Sequence, residues 1–463
     1  MRPLMAVHLI DSELFRGAWS TPEVRDLFDD RARLQRWLDV MAALALEQAE
    51  LGLIPRAAAE EIARKARVEL LDLDAIRRGI EESSHSLLST IRALQAVCEG
   101  DAGEYINYGT TVHDITDTAN ALAFREVCQI VYRDLRAIEG ECLRLARAHR
   151  DTIMPGRTHG QSGLPITFGF KAAVWAREAR RHIQRLRELA PRLLIGQLAG
   201  AVGTLAFFEG KGLELQRRVM RRLGLGVPDI AWDTARDNLA EFAGFLAMTA
   251  QTCAKIGTEV YNLQRPEIGE LAEPFQYGRV GSVTMPHKRN PETVEHIATL
   301  AKIVRADAAV LLEGMIHEHE RDGRPWKAEW VALPEACVLA TKALQLTREV
   351  LAGLVVHPAA MRRNLHAENG LLASEAVMGA LAKKVGKQTA HTLVYEAAMR
   401  AAEQGINLRE ALLESPAAPY LVDTDLDALF DLRNSLGHTT DFVDQVLLLA
   451  EQERAADPAT IEG

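Results

Sequence analysis

The chain has 463 residues, of which 48% are hydrophobic and 25% are charged, and its formal net charge is −10. This length predicts two or three domains, and the composition is that of an ordinary globular protein rather than a disordered one. The acidic balance argues against a nucleic-acid-binding surface, but it leaves room for a local basic pocket that binds an anionic substrate.

The amino-terminal sequence and the cysteines indicate the cellular compartment. The apolar run in MRPLMAVHLIDSELF is too short for a signal peptide, and Asp11 interrupts it. No apolar stretch approaches the roughly 18 residues needed to cross a bilayer. The five cysteines lie far apart and include no CxxC pair. We therefore expect a cytoplasmic protein with reduced, buried thiols and no membrane partner.

Helical periodicity dominates the chain. The first long element starts at His113 and continues to about Arg150 without a proline, with apolar residues at steps of three and four, and its length would be roughly 50 Å. Further proline-free stretches are Ile166–Ala190, Asn238–Gln264, Glu292–Arg324 and Glu335–His357. Five long helices with apolar faces can cover one another only by bundling. Because no segment shows sustained period-two alternation, the sequence predicts an all-α fold without a large sheet.

Three regions follow from this pattern. Residues 1–112 are predicted to form an amino-terminal helical domain, with a loop near Gly100–Gly109. Residues 113–358 form the predicted central bundle, and residues 359–463, after His357-Pro358, form a smaller carboxy-terminal helical domain.

The segment Gly278–His296, GRVGSVTMPHKRNPETVEH, interrupts the predicted helices. Its glycines and prolines prevent a continuous helix and leave backbone N–H groups available to an anion. Ser282 follows Gly281, which would present the serine hydroxyl without crowding, and Lys288 and Asn290 are suited to bind a carboxylate. From composition alone, a basic solvated turn has about equal weight.

Within this segment, GSVTMPHKRNP (Gly281–Pro291) resembles the GSSxMPxKxNP signature of the aspartase/fumarase superfamily, which includes adenylosuccinate lyases and 3-carboxy-cis,cis-muconate cycloisomerases. The resemblance extends along nearly the whole chain. It implies a three-domain, all-α fold and a homotetramer around a core of twenty helices, with each active site built from three subunits. It also implies that Ser282 is the catalytic base, and Ser282 is the single candidate because Val283 replaces the neighbouring family serine.

The implied reaction removes a proton from the carbon beside a carboxylate and expels a group from the adjacent carbon. The doubly charged aci-carboxylate that develops needs preorganised donors, and Lys288, Asn290 and the backbone near Gly281 are suited to supply them. The resemblance implies a small carboxylate substrate and no cofactor. We also expect no metal, because His317 and His319 of the HEHE run would point to different sides of a helix.

A second segment, GRTHGQSGLPITFG (Gly156–Gly169), resembles the superfamily's second conserved region. The resemblance implies that His159 is the general acid toward the leaving group and that Thr158 and Gln161 bind substrate. Glu295 matches a glutamate that pairs with this histidine in adenylosuccinate lyases. Such a carboxylate would orient the ring and raise its basicity.

A third segment, YINYGTTVHDITDTA (Tyr105–Ala119), resembles the family's first region, HxGxTSxDxxDTA. The resemblance implies that Thr110 and Thr111 bind substrate. Asn107 replaces the usual histidine, and Val112 replaces a serine that helps to hold a substrate carboxylate. Because a valine side chain cannot donate a hydrogen bond, either Thr111 and the neighbouring backbone hold the carboxylate or this pocket takes a different substrate group. His113 is an additional residue for which a surface or helix-capping use is at least as expected as a catalytic one.

Two further residues match positions of the family. His85, in IEESSHSLL, matches a histidine of adenylosuccinate lyases and is expected to bind substrate, with an amino-terminal helix cap or a core position as the equal alternative. Arg236, in WDTARDNLAEF, matches an arginine of this branch and is expected either to bind substrate or to brace the loop.

The run HERDGRPWKAEWVALPEA separates the subfamilies. Adenylosuccinate lyases carry ERDxSxSSxER here, whose serine and arginine hold the nucleotide phosphate, whereas this run resembles the cycloisomerase pattern ERxxGxWxxEWxxLPE. We expect a cycloisomerase-like scaffold that releases fumarate from a succinyl or N-substituted aspartate substrate. The alternatives are 3-carboxy-cis,cis-muconate cycloisomerase, adenylosuccinate lyase and a catalytically silent structural scaffold.

Overall fold

Short and medium helices form the amino-terminal part of the fold in the computed structural model, which describes residues 6–275, 282 and 284–461. They are α1 (Arg16–Trp19), α2 (Pro22–Phe28), α3 (Asp30–Glu50), α4 (Arg56–Lys65), α5 (Leu73–Ser83) and α6 (Ser86–Val97). Side chains cap several of them. Asp29 accepts a hydrogen bond from the Ala32 N–H at the start of α3, and Asp72 does the same for Ala75 at the start of α5. These caps satisfy N–H groups that the helix itself cannot pair.

The centre of the fold is a bundle of five long helices, accompanied by the shorter α9. The helices of this part are α7 (Val112–Ala148), α8 (Phe168–Leu193), α9 (Gly212–Leu223), α10 (Asp237–Gln264), α11 (Glu292–Glu313) and α12 (Gly323–Ala352). α7 packs on α8 and α12, while α10 packs on α8, α11 and α12. Along α7, Val127, Val131, Leu135 and Ile138 are buried, as their spacing predicts. The predicted bundle of long helices is therefore confirmed.

Contacts between helix ends show that the bundle has two distinct ends. At one end, Arg236 at the start of α10 is hydrogen-bonded to Asp117 near the start of α7 and to Glu329 near the start of α12. At the other, Arg144 near the end of α7 donates to the Leu351 carbonyl near the end of α12. We call these the Thr111 end and the His159 end. The 37 residues of α7 separate them by roughly 55 Å at about 1.5 Å per residue.

Two small antiparallel sheets lie at the His159 end. β1 (Ile153–Thr158) and β2 (Gln161–Thr167) form a hairpin between α7 and α8, and β3 (Leu271–Ala272) pairs with β4 (Val355–Val356). In the described part of the chain the strands form only these two two-stranded sheets, in agreement with the expectation of no large sheet. The hairpin was not predicted, because its glycines and prolines hide the alternation of a strand.

The carboxy-terminal helices are α13 (Pro358–His366), α14 (Ser374–Val385), α15 (Lys387–Gln404), α16 (Leu408–Leu413), α17 (Leu426–Phe430) and α18 (Thr439–Ala455). α14, α15 and α16 share an apolar cluster that includes Val377, Leu381 and Leu412, whereas α18 packs back on α7 and α8. Beyond α18, the Ile461 N–H donates to Gln129 of α7. The three-domain division at residues 112 and 358 stays a prediction.

Two predicted helices have different bounds in the structure. The stretch Glu292–Arg324 is not one helix, because α11 ends at Glu313 and the irregular connector 314–322 follows. The expectation that His317 and His319 lie on a helix was therefore wrong. α12 in turn starts at Gly323 and runs through Pro334, which the sequence treated as a boundary. Burial of α12 between α7, α10 and α11 offsets the roughly 3 kcal/mol that an interior proline costs.

None of the helices that the structure describes combines the length and apolarity that crossing a bilayer requires.

Candidate active site

The segment Tyr105–Ala119 contains the amino terminus of α7. Thr111 is its N-cap in a reciprocal capping box with Asp114, whose carboxylate accepts the Thr111 N–H at 2.9 Å. The same carboxylate accepts the N–H groups of Ala199 and Gly200 from the loop after α8. Burial raises the pKa of Asp114 to about 7, although these three donors favour the charged form. Asp114 thus fixes the position of Thr111 against the loop.

Asn107 and Thr110 close the turn that precedes α7. Asn107 has a φ of 57°, in the left-handed region that asparagine tolerates better than most residues. The Thr110 hydroxyl donates to the Asn107 side-chain oxygen at 2.6 Å, and Asn107 reaches back to the Thr110 carbonyl at 3.4 Å. Both side chains are half-buried. Asn107 therefore forms a compact turn beside Thr111.

Arg321, from the connector between α11 and α12, reaches the same place. Its guanidinium donates to the Thr111 hydroxyl at 2.7 Å and to the Ala201 carbonyl at 2.9 Å. It also lies 3.5 Å from a carboxylate oxygen of Asp233. The sequence did not predict Arg321 as a site residue, because the run that contains it was used only to separate the two subfamilies.

Arg236 is engaged by two buried carboxylates. Its guanidinium donates two hydrogen bonds to Asp117, at 2.8 and 3.2 Å, and two more to Glu329. The residue is 2% exposed. These contacts join α10, α7 and α12. The expectation that Arg236 binds substrate or braces the loop stays a prediction.

His85 and His113 behave differently from each other. His85 is exposed and caps α6, where its Nδ1 accepts the Leu88 N–H at 3.2 Å, as one alternative for this residue proposed. His113 is only 1% exposed and stacks on Trp326, with ring centroids 4.4 Å apart. The expectation of a surface or capping role for His113 was wrong, because the residue lies on the face of α7 that the start of α12 covers.

The segment Gly156–Gly169 contains the tip of the β1–β2 hairpin. Thr158 pairs with Gln161, which leaves His159 and Gly160 as a two-residue loop. Both loop residues have positive φ, 52° and 78°, the geometry of a type I′ turn. Thr158, His159 and Gln161 are all exposed. The hairpin therefore projects His159 into open space in a backbone conformation that is uncommon for histidine.

Arg157 anchors this hairpin to the end of the bundle. Its guanidinium donates two hydrogen bonds to the buried Glu270, at 2.7 and 2.9 Å, and Asn364 of α13 donates to the same carboxylate. This bidentate pair gives the base of the hairpin a defined direction. Arg157 is therefore engaged in holding His159 in place.

The signature segment begins outside the described residues. Gly281 and Val283, on which the single-base argument depended, are not among those residues, whereas Ser282 is described and its hydroxyl accepts the Met285 N–H at 3.0 Å. Lys288 is exposed, Asn290 is half-buried, and Glu295 is exposed in the first turn of α11. No hydrogen bond between His159 and Glu295 is present among the described residues.

A groove of about 710 Å³ lies next to the signature segment. Asn290, Arg289, Phe275, Lys342 and Glu349 contribute to its walls, and Arg289 lies over the ring of Phe275. Ser282 and His159 do not line it.

Apart from His85, which caps α6, the predicted site residues form two groups. Asn107, Thr110, Thr111, His113 and Arg236 lie at the Thr111 end. Thr158, His159, Gln161, Ser282, Lys288, Asn290 and Glu295 lie at the His159 end. With α7 between the two groups, no single copy of the chain can bring them to one substrate.

The fold and these segments define a class of protein. A family model described as "Lyase" matches residues 16–305, and one described as "Adenylosuccinate lyase C-terminus" matches residues 370–446. The chain belongs to the aspartase/fumarase superfamily, in the branch of adenylosuccinate lyases and muconate cycloisomerases, and it is an enzyme of the lyase class.

Its relatives include two N-acetyl-S-(2-succino)cysteine lyases. The protein from Dickeya dadantii is 46% identical over 448 residues, which cover 96% of this chain and 98% of that protein. The protein from Enterococcus italicus is 43% identical over 444 residues, with 96% and 97% covered. The crystal structure of the 3-carboxy-cis,cis-muconate lactonizing enzyme from Pseudomonas putida superposes with a TM-score of 0.88 at 34% identity and covers 95% of this chain and 99% of that one.

Proposed function

We propose that this lyase releases fumarate from an S-(2-succino) thioether, such as N-acetyl-S-(2-succino)cysteine. The observation that carries this proposal is the 46% identity, over nearly the full length of both chains, to a relative of that name. In the reaction, a base takes a proton from the methylene carbon of the succinyl group. The C–S bond then breaks, the electron pair of the C–H bond becomes the double bond of fumarate, and the thiolate leaves.

The roles of the residues follow from their chemistry. Ser282 takes the proton, and it needs nearby N–H groups and a cation such as Lys288 to favour its alkoxide. Lys288 and Asn290 stabilise the negative charge that develops on the carboxylate. His159 delivers a proton to the leaving group. Thr158, Gln161, Thr110 and Thr111 hold the substrate.

The proposed site is assembled from several copies of the chain. The His159 end supplies the proposed acid and base, and the Thr111 end supplies hydroxyl groups and Arg321 for carboxylates. Because roughly 55 Å of α7 separates these ends, a complete site needs the Thr111 end of one copy beside the His159 end of another. This reason requires more than one copy of the chain, and the family resemblance makes a homotetramer the assembly that we propose. A monomer by light scattering would contradict it.

The aromatic side chains near Thr111 favour a small substrate over a nucleotide. Trp326 and Trp330 stand in the run where adenylosuccinate lyases carry phosphate-binding serines. Trp326 packs on His113, and Trp330 lies against Trp326 and Trp37. These contacts fill space with indole rings and offer no group suited to a phosphate.

The second candidate function is the cycloisomerisation of 3-carboxy-cis,cis-muconate, which the superposition on the lactonizing enzyme favours. A substrate panel separates the candidates. Purified protein is incubated with N-acetyl-S-(2-succino)cysteine, several N-substituted aspartates, adenylosuccinate and carboxymuconate, and fumarate, thiol and lactone are quantified. We expect fumarate and thiol in equal amounts from the thioether. Lactone as the main product, or no product from any substrate, would refute the proposal.

A further inference from the structure

Buried polar atoms without hydrogen-bond partners are concentrated at the Thr111 end. Among the described residues, thirteen buried side-chain nitrogen and oxygen atoms have no hydrogen-bond partner, and six of them belong to His113, His317, Arg321 and Asp233. The Asp233 oxygen among them has only the 3.5 Å ion-pair contact with Arg321. Buried polar atoms in folded proteins are nearly always paired, so such a concentration needs a local explanation. Contact with a ligand supplies one.

His113 contributes two of these atoms. Its ring is 1% exposed, and neither Nδ1 nor Nε2 has a partner. Burial, more than any neighbouring charge, lowers the pKa of His113 to about 4, so the ring is neutral near pH 7. A neutral imidazole has one N–H donor and one acceptor nitrogen, and here both lack a partner.

Packing alone does not account for a histidine at this position. The ring lies nearly parallel to Trp326, with an interplanar angle of 28°. A phenylalanine would stack in the same way without burying two unpaired nitrogens, and replacing such groups by apolar atoms is neutral or stabilising. Residues that leave buried polar atoms without hydrogen-bond partners in this way are expected at functional sites.

His182 shows what a structural buried histidine looks like in the same protein. It is 3% exposed, and burial again lowers its pKa to about 4. Its Nε2, however, lies 2.9 Å from the Thr252 hydroxyl, and its other nitrogen lies 3.5 Å from Arg185. His182 therefore has partners for both nitrogens inside the bundle, which His113 lacks.

The charged groups around His113 indicate which kind of ligand atom its ring would bind. Arg321 and Arg236 are both close enough to act on the ring electrostatically, as are His317 and Asp117. Asp117 and Glu329 are both paired with Arg236. Asp233 lies 3.5 Å from one nitrogen of Arg321, but the Nε of Arg321 has no hydrogen-bond partner. A neutral N–H donor beside an incompletely paired guanidinium fits an anionic oxygen.

We propose that His113 is a substrate-binding residue that donates its N–H to a carboxylate oxygen of the substrate, next to Arg321 and Thr111. The proposal rests on the proposed function. Because the ring is almost inaccessible, binding requires the connector 314–322, which carries His317 and Arg321, to shift and admit the carboxylate. Val112 offers no donor at the amino terminus of α7, and His113 supplies one from the adjacent position.

Two substitutions separate binding from packing. His113→Phe keeps the stacked ring and removes both nitrogens, whereas His113→Gln keeps one donor and one acceptor. We expect His113→Phe to lower kcat/KM for N-acetyl-S-(2-succino)cysteine by roughly 10–150-fold, the equivalent of one hydrogen bond to a charged group. Its thermal midpoint is expected to equal or exceed that of the wild type. His113→Gln is expected to retain more activity than His113→Phe.

His182→Phe is the matched control. It removes a buried imidazole that has internal partners, so we expect a lower thermal midpoint and an unchanged kcat/KM. An active wild type together with a fully active, folded His113→Phe variant would overturn the proposal for His113 while leaving the proposed function intact. If His113→Phe does not fold, the comparison is made with His113→Leu, which also removes both ring nitrogens, and wild-type kcat/KM at reduced stability would overturn the proposal in the same way.

Binding measurements decide the case in which the wild type releases no fumarate from any substrate. Isothermal titration with succinate and with fumarate then compares the wild type, His113→Phe and His182→Phe. Weaker binding by His113→Phe alone supports the proposal for His113 even though the proposed function has failed. Equal binding by all three proteins, or no binding by the wild type, overturns it.

Discussion

Thr111 and His159 lie beyond opposite ends of the same helix. Thr111 caps the amino terminus of α7, and His159 occupies the hairpin that follows its carboxy terminus. The 37 residues between these ends span roughly 55 Å. This separation is the physical basis for proposing that the active site is shared between copies of the chain.

The base assignment predicts a large effect at Ser282 and a small one nearby. Ser282→Ala should lower kcat by about 10²–10⁴-fold, the usual contribution of a positioned general base. Thr284→Ala is the control, since it removes an exposed hydroxyl two residues further along the same segment. Steady-state fumarate release measures both. Similar activities of the two variants would remove Ser282 from the mechanism.

The role of His159 should depend on the leaving group. A thiol has a pKa of about 8.5 and leaves readily as the anion, whereas an amine needs a proton first. We expect His159→Asn, which suits the left-handed backbone at this position, to slow release of a thiol less than release of an amine from an N-substituted aspartate. Equal losses in kcat for both substrates would contradict the acid role.

The ion cluster around Arg236 predicts a large stability effect. Arg236→Leu leaves the buried carboxylates of Asp117 and Glu329 without their partner, and such losses cost about 3–5 kcal/mol. Arg192→Leu, which breaks the exposed pair with Glu241, should cost less than about 1 kcal/mol. Denaturant unfolding compares the two variants. Equal midpoints would show that Arg236 does not brace the bundle.

The dependence of stability on pH should differ between the wild type and His113→Phe. The pKa of His113 is about 4 in the folded protein, against an ordinary value of 6.5. The unfolded chain therefore binds more protons between these values, and His113 removes stability as the pH falls from 6.5 to 4, by up to about 1.4 kcal/mol per unit. Above pH 6.5 this contribution disappears.

Comparing the two proteins isolates this effect. Asp114 and Asp307, whose pKa values burial raises to about 7, change stability in the opposite direction over the same range. Both residues are present in both proteins, so their effects cancel in the difference. The thermal midpoint of His113→Phe should rise relative to that of the wild type as the pH decreases from 7 to 5. A constant difference would show that His113 is not buried as the structure describes.

The sequence predicted those features that depend on local pattern. The extent of α7 follows from the apolar spacing and from the absence of proline between His113 and about Arg150, and the superfamily follows from the Gly281–Pro291 segment. It did not predict the helix through Pro334, because packing against neighbouring helices outweighs the local penalty. Nor did it predict the burial of His113 or the contact of Arg321 with Thr111. These depend on the start of α12 and the connector 314–322, which lie some 200 residues away along the chain.

The shared site is tested most directly by mixing two inactive variants. Arg321→Ala damages the Thr111 end, and Ser282→Ala damages the His159 end. The two proteins are unfolded together and refolded, and fumarate release from N-acetyl-S-(2-succino)cysteine is measured. If each site takes its two ends from different copies, random mixing should restore about a quarter of wild-type activity. No activity above that of the separately refolded variants would contradict a site assembled between subunits.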